Sequence, residues 1–310
     1  MKTMSVVPRS FHLIAPSGYC HNQQAASLAV ERLRSEGHRV ENTTVICRRE
    51  QRFAGSDKER LADLHQLIQP KCQADIALVV RGGYGASRLL PFFQARALAD
   101  RLQSRPLAIC GHSDFTVLQM ALLQQGAITF SGPMLAGNFG AGNLSDFTVN
   151  HFWLALTSPR FTLEWSTQSS QATELKGTIW GGNLAMLASL TGTPWLPQIH
   201  DGILVIEDVN EPPFRIERML LQLAYSGVLA KQKAIITGSF TGVTLTDYDR
   251  GYDFDNVWAR ISEITGVPVL TGLQFGHHRD TVTLPLGAQG HLKISEGNCK
   301  LLVSGHPTLP

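Results

Sequence analysis

Short apolar runs alternate with stretches of helical spacing through the first third of the chain, and this alternation restricts the possible folds more than any other feature. Phe11 to Ala15 reads as a strand, Gln23 to Glu36 as a helix stopped by Gly37, and Val40 to Val45 as a second strand. A helix follows near Lys58 to Ile68, then a strand from Ile76 to Val80. Strands separated by helices of about 10 to 15 residues return to the same side of a sheet and pair in parallel. An open α/β sheet of this kind takes its ligands at the carboxyl ends of its strands.

Two conspicuous turns lie at such ends. Arg81-Gly82-Gly83-Tyr84-Gly85 follows Val80, and Gly111-His112-Ser113-Asp114 follows the apolar run Leu107 to Cys110 and precedes helical spacing up to Gly126. A serine held between a buried strand and a new helix has its hydroxyl pushed clear of the backbone, with the next N–H groups aimed where an oxyanion would form. The elbow pattern G-x-S-x-G is incomplete, since Phe115 stands at the second glycine. Gly82 and Gly83 could add N–H groups to that of Asp114 in an oxyanion hole, or form a plain tight turn. They do not have the G-x-G-x-x-G spacing that a dinucleotide requires.

A serine at neutral pH needs a base, and the base needs an acceptor that fixes its tautomer. His277 and His278 lie in a glycine-containing loop after the apolar run Val269 to Leu273, where a base can be mounted. His112 adjoins the serine but, as a neighbour on a turn, should point away. Glu207 and Asp208 close the strand-like run from Gly202, and period-two alternation puts them on opposite faces, so that one should face the site. No His, Asp or Glu spacing suits a metal.

With 310 residues, 43% of them hydrophobic, the chain is long enough for two domains. We expect an α/β domain over 1–157, a polar connection over 158–176 and a second domain over 177–310. The connection contains Ser158-Pro159 and the run Ser166 to Gln171, and the second domain contains a helix from Pro213 to Tyr225, a strand from Ala234 to Thr237 and a β-rich tail around Thr281 to Pro285. A net charge of +2 without a Lys/Arg block argues against nucleic acid. No apolar stretch is long enough to span a membrane, and Met1 to Ser10 lack the apolar core of an export signal. Five scattered cysteines without a C-x-x-C pair fit reduced thiols, and with them a cytoplasmic protein; Cys110 reads as a small buried hydrophobe.

Taken together, several ordered motifs resemble the LD-carboxypeptidases, the serine peptidases that act on muramoyl tetrapeptides in bacterial cell-wall recycling. The resemblance rests on Ile14-Ala15-Pro16-Ser17-Gly18, Arg81 to Ala86, Gly111-His112-Ser113-Asp114, Ser131-Gly132-Pro133-Met134, Trp180-Gly181-Gly182-Asn183-Leu184, Glu207-Asp208, Arg215-Ile216-Glu217-Arg218 and Phe275-Gly276-His277. It implies a flavodoxin-like parallel-sheet amino-terminal domain followed by a smaller β-rich α+β carboxy-terminal domain, and a homodimer. It also implies a triad of Ser113, His277 and Glu207, release of D-alanine from a murein tetrapeptide, and no cofactor or metal. The family histidine follows Phe-Gly, which selects His277 over His278. Gly82, Gly83 and Asp114 are then the oxyanion donors. Arg81, Tyr84, Asn183 and Arg215 are the candidate substrate contacts, with Arg81 and Arg215 proposed for the terminal carboxylate. Two alternatives are a related amide hydrolase giving self-immunity to a peptidyl-nucleotide antibiotic, which would need an aromatic platform for a base that the sequence assigns to none of Trp180, Trp195 and Trp258, and a peptide-binding protein without catalysis.

Overall fold

A computed structural model of the protein describes residues 7–168 and 172–310. Five parallel strands, β1 (Ser10–Ile14), β2 (Arg39–Glu41), β3 (Ile76–Val79), β4 (Ala108–Gly111) and β5 (Thr129–Ser131), stand in the order 5-4-3-1-2. Between and after them run the helices α1 (Gln23–Ser35), α2 (Asp57–Gln66), α3 (Ala95–Ser104), α4 (Thr116–Leu123) and α5 (Asp146–Thr157). Every residue of β1, β3 and β4 is buried, as expected of parallel strands covered on both faces. The strand expected over 40–45 is cut short. Asn42 turns left-handed with φ 58°, donates its side-chain amide to the carbonyl of Leu13, and starts a 3-10 turn over Thr43–Ile46.

The second sheet is mixed. Strands β6 (Arg160–Ser166), β7 (Thr173–Asn183), β8 (Gly202–Val209), β9 (Gln232–Thr241) and β10 (Val269–Leu270) alternate in its later part with helices α6 (Leu184–Ser189), α7 (Pro213–Tyr225) and α8 (Phe254–Thr265). Three further strands follow: β11 (Leu284–Leu286), β12 (Gln289–Ser295) and β13 (Asn298–Ser304). The sheet order is β10-β9-β8-β7-β12-β13-β6, parallel from β10 to β7 and antiparallel beyond.

Two features depart from the division expected from composition. The segment 158–176 is largely sheet: β6 pairs with β13 along its whole length, and β7 begins at Thr173. Its polarity has a geometric cause, because in β6 only Phe161 and Leu163 are fully buried while the alternate positions are solvated. Residues 169–171 of the polar run lie outside the described residues. In addition, β11 leaves the second unit and pairs antiparallel with β5, closing the edge of the first sheet, and the N–H of Leu309 bonds the carbonyl of Leu156 at 2.7 Å. The carboxy-terminal region thus completes the first sheet as well as forming the second. Pairing of this kind depends on long-range contacts, to which local spacing is blind.

Candidate active site

Ser113 sits directly beyond β4 with φ 64°. A side-chain-bearing residue in this left-handed region costs about 1–3 kcal/mol and persists only where its surroundings over-determine it. The surroundings here are close: a Cβ on Gly82 would lie 2.7 Å from both Cβ and Oγ of Ser113. Only a glycine lets the turn after β3 approach the serine this way. Among the described residues, the N–H groups of Gly82 and Gly83 donate to no backbone acceptor in the turns and loops, and Asp114 stands in the first turn of the 3-10 helix Ser113–Phe115, where a backbone N–H has no partner within the helix.

The Asp114 side chain does different work from its backbone. It is 2% exposed, and its Oδ2 accepts the Ala86 N–H at 2.8 Å, which ties the elbow to the glycine turn. Burial pushes its carboxyl above the ordinary Asp value, against the pull of that bond and of the Arg60 and Arg52 charges. Arg60, a completely buried residue of α2, donates to the carbonyls of Pro16 and Gly85 and pairs with Asp57. Its guanidinium therefore fastens the loop after β1 to the turn after β3. Nothing in the sequence singles out Arg60, since an arginine within Glu59-Arg60-Leu61 on an amphipathic helix looks like a surface charge.

The candidate acid–base groups arrive from the second sheet. Glu207, in β8, is fully buried; its Oε2 accepts from His277 Nδ1 at 2.6 Å, and His277 Nε2 lies 3.0 Å from Ser113 Oγ. A carboxylate facing Nδ1 fixes the proton there, leaving Nε2 as the acceptor for the serine hydroxyl. Burial alone would lower the His277 pKa, but the hydrogen bond and charge of Glu207 and the charge of Asp208 prevail and hold it above the ordinary histidine value. Burial works against Glu207 too, yet the bond to His277 and its charge keep the carboxyl below the usual range. Gly276 is required next to the histidine: at φ 112°, a Cβ there would fall 2.6 Å from Glu207.

Asn183 and Asp208 support this pair. The Asn183 amide donates to Glu207 Oε1 at 3.3 Å and to Asp208 Oδ1 at 3.0 Å, while its Oδ1 caps α6. Both carboxylates reach the same amide because the register of β8 on β9 shifts between Ile206 and Asp208, which relaxes strict alternation. Asp208 also accepts the Ala185 N–H, and burial raises its pKa to about 6. Asn183 is thus turned inward, 5% exposed, and contacts the carboxylates instead of facing a substrate.

Two sets of hydrogen bonds hold the halves of the site in register. The Asn183 N–H donates to Thr116 Oγ1 at the start of α4, 3.2 Å away. The histidine loop is tied to α5: Ser145 donates to Asp280 at 2.5 Å, Thr148 to the carbonyl of Arg279 at 2.9 Å, and the Thr281 N–H to Thr148 at 3.0 Å. Beside His277 opens a cleft of about 630 Å³ whose walls include His112, Asn138, Thr241, His278 and Arg279. The His112 ring meets that of His277 edge-on at 4.9 Å and bonds the Gly132 carbonyl through Nδ1; burial lowers its pKa to about 4. It is a neutral wall against His277.

The other expected substrate contacts are not among the residues that wall this part of the cleft, and neither is Ser113 itself. Arg81 donates to the carbonyl of Tyr19 at 2.8 Å. Arg215 is ion-paired with Glu211 at 2.7 Å. Tyr84, 45% exposed, stands against Phe53 and under the Arg52 guanidinium on the rim of the first sheet. Among the described residues no cluster of three or more His, Cys, Asp or Glu is arranged to hold a metal, and no helix is long and apolar enough to cross a membrane.

Residues 11–132 match the family model for the LD-carboxypeptidase N-terminal domain, and residues 176–292 the one for the LD-carboxypeptidase C-terminal domain. A solved structure of muramoyltetrapeptide carboxypeptidase from Oxalobacter formigenes is 42% identical, with a TM-score of 0.90 over 96% of this chain and 100% of that one. A probable murein peptide carboxypeptidase of Bacillus subtilis is 30% identical over 79% of this chain and 76% of its own length. The microcin C7 self-immunity protein of Escherichia coli is 29% identical over 88% and 86%, respectively.

Proposed function

This chain belongs to the LD-carboxypeptidase family, a serine-type carboxypeptidase, and we propose that it removes the terminal D-alanine from murein tetrapeptides through an acyl-enzyme on Ser113. The observation that carries this reading is the continuous relay from Glu207 through His277 to Ser113, at 2.6 and 3.0 Å. His277 Nε2 takes the hydroxyl proton as Oγ attacks the carbonyl that joins the diamino acid to D-alanine. The developing imidazolium is stabilised by Glu207, and the oxyanion is received by N–H groups of Asp114 and the Gly82-Gly83 turn. The same proton then passes from Nε2 to the alanine nitrogen as the C–N bond breaks. Water, deprotonated by His277, cleaves the acyl ester and regenerates the serine.

A role in recycling within the cytoplasm belongs to the same proposal, supported by five cysteines that are all free thiols. Homodimerisation, implied by the family, is tested by light scattering of the purified protein. The antibiotic-immunity reading gains no support from the tryptophans: Trp180 is buried and bonded to Gln232, Trp258 packs on Phe240 and Phe254, and Trp195 packs against the core. The decisive experiment is mass spectrometry of L-Ala-γ-D-Glu-meso-diaminopimelate-D-Ala incubated with native protein and with Ser113→Ala. Loss of one alanine with the native protein only is expected; trimming by both would remove Ser113 from its role.

A further inference from the structure

An exopeptidase must recognise the free carboxylate of its terminal residue, and in a site of this shape covalent geometry says where that carboxylate falls. His277 delivers a proton to the nitrogen of the leaving alanine. The carboxylate carbon is two bonds from that nitrogen, about 2.5 Å away. The anion therefore lies within a few ångströms of His277 Nε2.

One cation has the right place. Arg279 follows His277 by two residues, is exposed, and is the one Lys or Arg among the residues that line the cleft. The backbone around it is pinned, through the carbonyl of Arg279 and the N–H of Thr281, to Thr148 of α5. Its acidic neighbour Asp280 is occupied by the Ser145 hydroxyl. Among the described residues the guanidinium itself has neither a hydrogen-bond acceptor nor an ion-pair partner. Of the two arginines that sequence alone would offer, Arg81 gives one N–H to the Tyr19 carbonyl and Arg215 pairs with Glu211, and neither is among the residues that line this cleft. A fixed backbone carrying an unengaged planar fork, two residues from His277 and on the wall of the same cleft, is what bidentate recognition of a carboxylate needs.

We infer that Arg279 is the anchor for the terminal carboxylate, the residue that makes this enzyme a carboxypeptidase instead of an endopeptidase. The inference rests on the relay proposed above, because it takes His277 as the group that protonates the leaving amine. With the anchor in place, a tetrapeptide ending in a free acid is preferred over the same peptide ending in D-alaninamide. A charge-assisted bidentate contact makes this preference roughly 10- to 150-fold.

The test measures kcat and KM of native protein, Arg279→Met, Arg279→Lys and Arg81→Met on L-Ala-γ-D-Glu-meso-diaminopimelate-D-Ala and on its C-terminal amide. Arg279→Met is expected to lose most of kcat/KM on the acid, chiefly through KM, while changing less than about threefold on the amide. Arg279→Lys should recover part of the discrimination, and Arg81→Met should keep it. Equal losses on both peptides, unchanged discrimination in Arg279→Met, or its loss in Arg81→Met would each overturn the assignment. Native protein inactive on both peptides would remove the peptidase reading, and the anchor with it. An active native enzyme with indifferent Arg279 variants would remove the anchor alone.

Discussion

Ser113 and its glycine turn come from one sheet and are prepared by backbone, whereas Glu207 and His277 come from the other and are prepared by charge. On the first side the controlling quantities are a left-handed φ at Ser113, a missing Cβ at Gly82 and N–H groups left without acceptors. On the second they are a fully buried carboxylate, an imidazole with a raised pKa and an asparagine that bonds two acids. The difference separates position from protonation. Damage to the first side should slow the reaction at every pH, while damage to the second should also move the pH at which it fails.

The largest effect that separates the two belongs to Glu207→Gln. By analogy with other triads deprived of their carboxylate, kcat should fall on the order of 10⁴-fold. With His277 as the proposed base, the active form carries it neutral, and kcat/KM of the native protein should decline as pH drops through a value above 6.5, the ordinary histidine pKa. Glutamine removes the charge that raises this pKa, keeps at most a neutral hydrogen bond, and leaves the burial that lowers it, with only the Asp208 charge still opposing. The acid limb should therefore move to lower pH even as the rate collapses. A pH profile of the residual activity with its acid limb unmoved would show that Glu207 does not tune the base.

Gly82→Ala attacks the other side. A Cβ there meets Ser113 Oγ at 2.7 Å and the Asp114 nitrogen at 3.4 Å, so the turn must retreat and take its N–H groups with it. Loss of one oxyanion donor costs about 10²- to 10³-fold in kcat. The acid limb should stay where it is, because the His277–Glu207 bond is untouched. A shifted limb would mean that the two sides are coupled and would break the comparison.

How much of this arrangement could be read from residues alone follows the same division. The elbow was legible because strand, glycine and helix are consecutive, and α7 has the expected bounds, Pro213–Tyr225, because proline and Gly227 punctuate it. The choice between Glu207 and Asp208 was not open to alternation: β8 is buried almost throughout, and its register shifts between Ile206 and Asp208. His277 was distinguishable from His278 only through its Phe-Gly context, and the clash that a Cβ at Gly276 would make with Glu207 is the physical reason for that context. The strand β6 hid in a polar segment because its exposed face dominates the composition. The placement of β11 on β5 hid because its partner lies far back along the chain. Arg60 was invisible for a related reason, since nothing local tells a buried guanidinium from a solvated one.

The smallest effect, and the one that sharpens the comparison most, is therefore expected from Arg60→Lys. The substitution keeps the charge but not the fork, and a single ammonium cannot hold the carbonyls of Pro16 and Gly85 and the Asp57 carboxylate in the same geometry. The glycine turn is then fastened to the elbow mainly by the bond from Ala86 to Asp114. A displacement approaching 1 Å can cost about a hundredfold in rate, and partial loosening should cost roughly tenfold in kcat. KM should change less than kcat, because Arg60 does not line the cleft, and the acid limb should not move, because the His277–Glu207 bond is untouched. Steady-state kinetics across pH, with a melting curve of the same variant, reads all three. A lowered Tm with kcat intact would mean that Arg60 serves only the stability of the first sheet, and that the turn beside Ser113 is held by Asp114 alone.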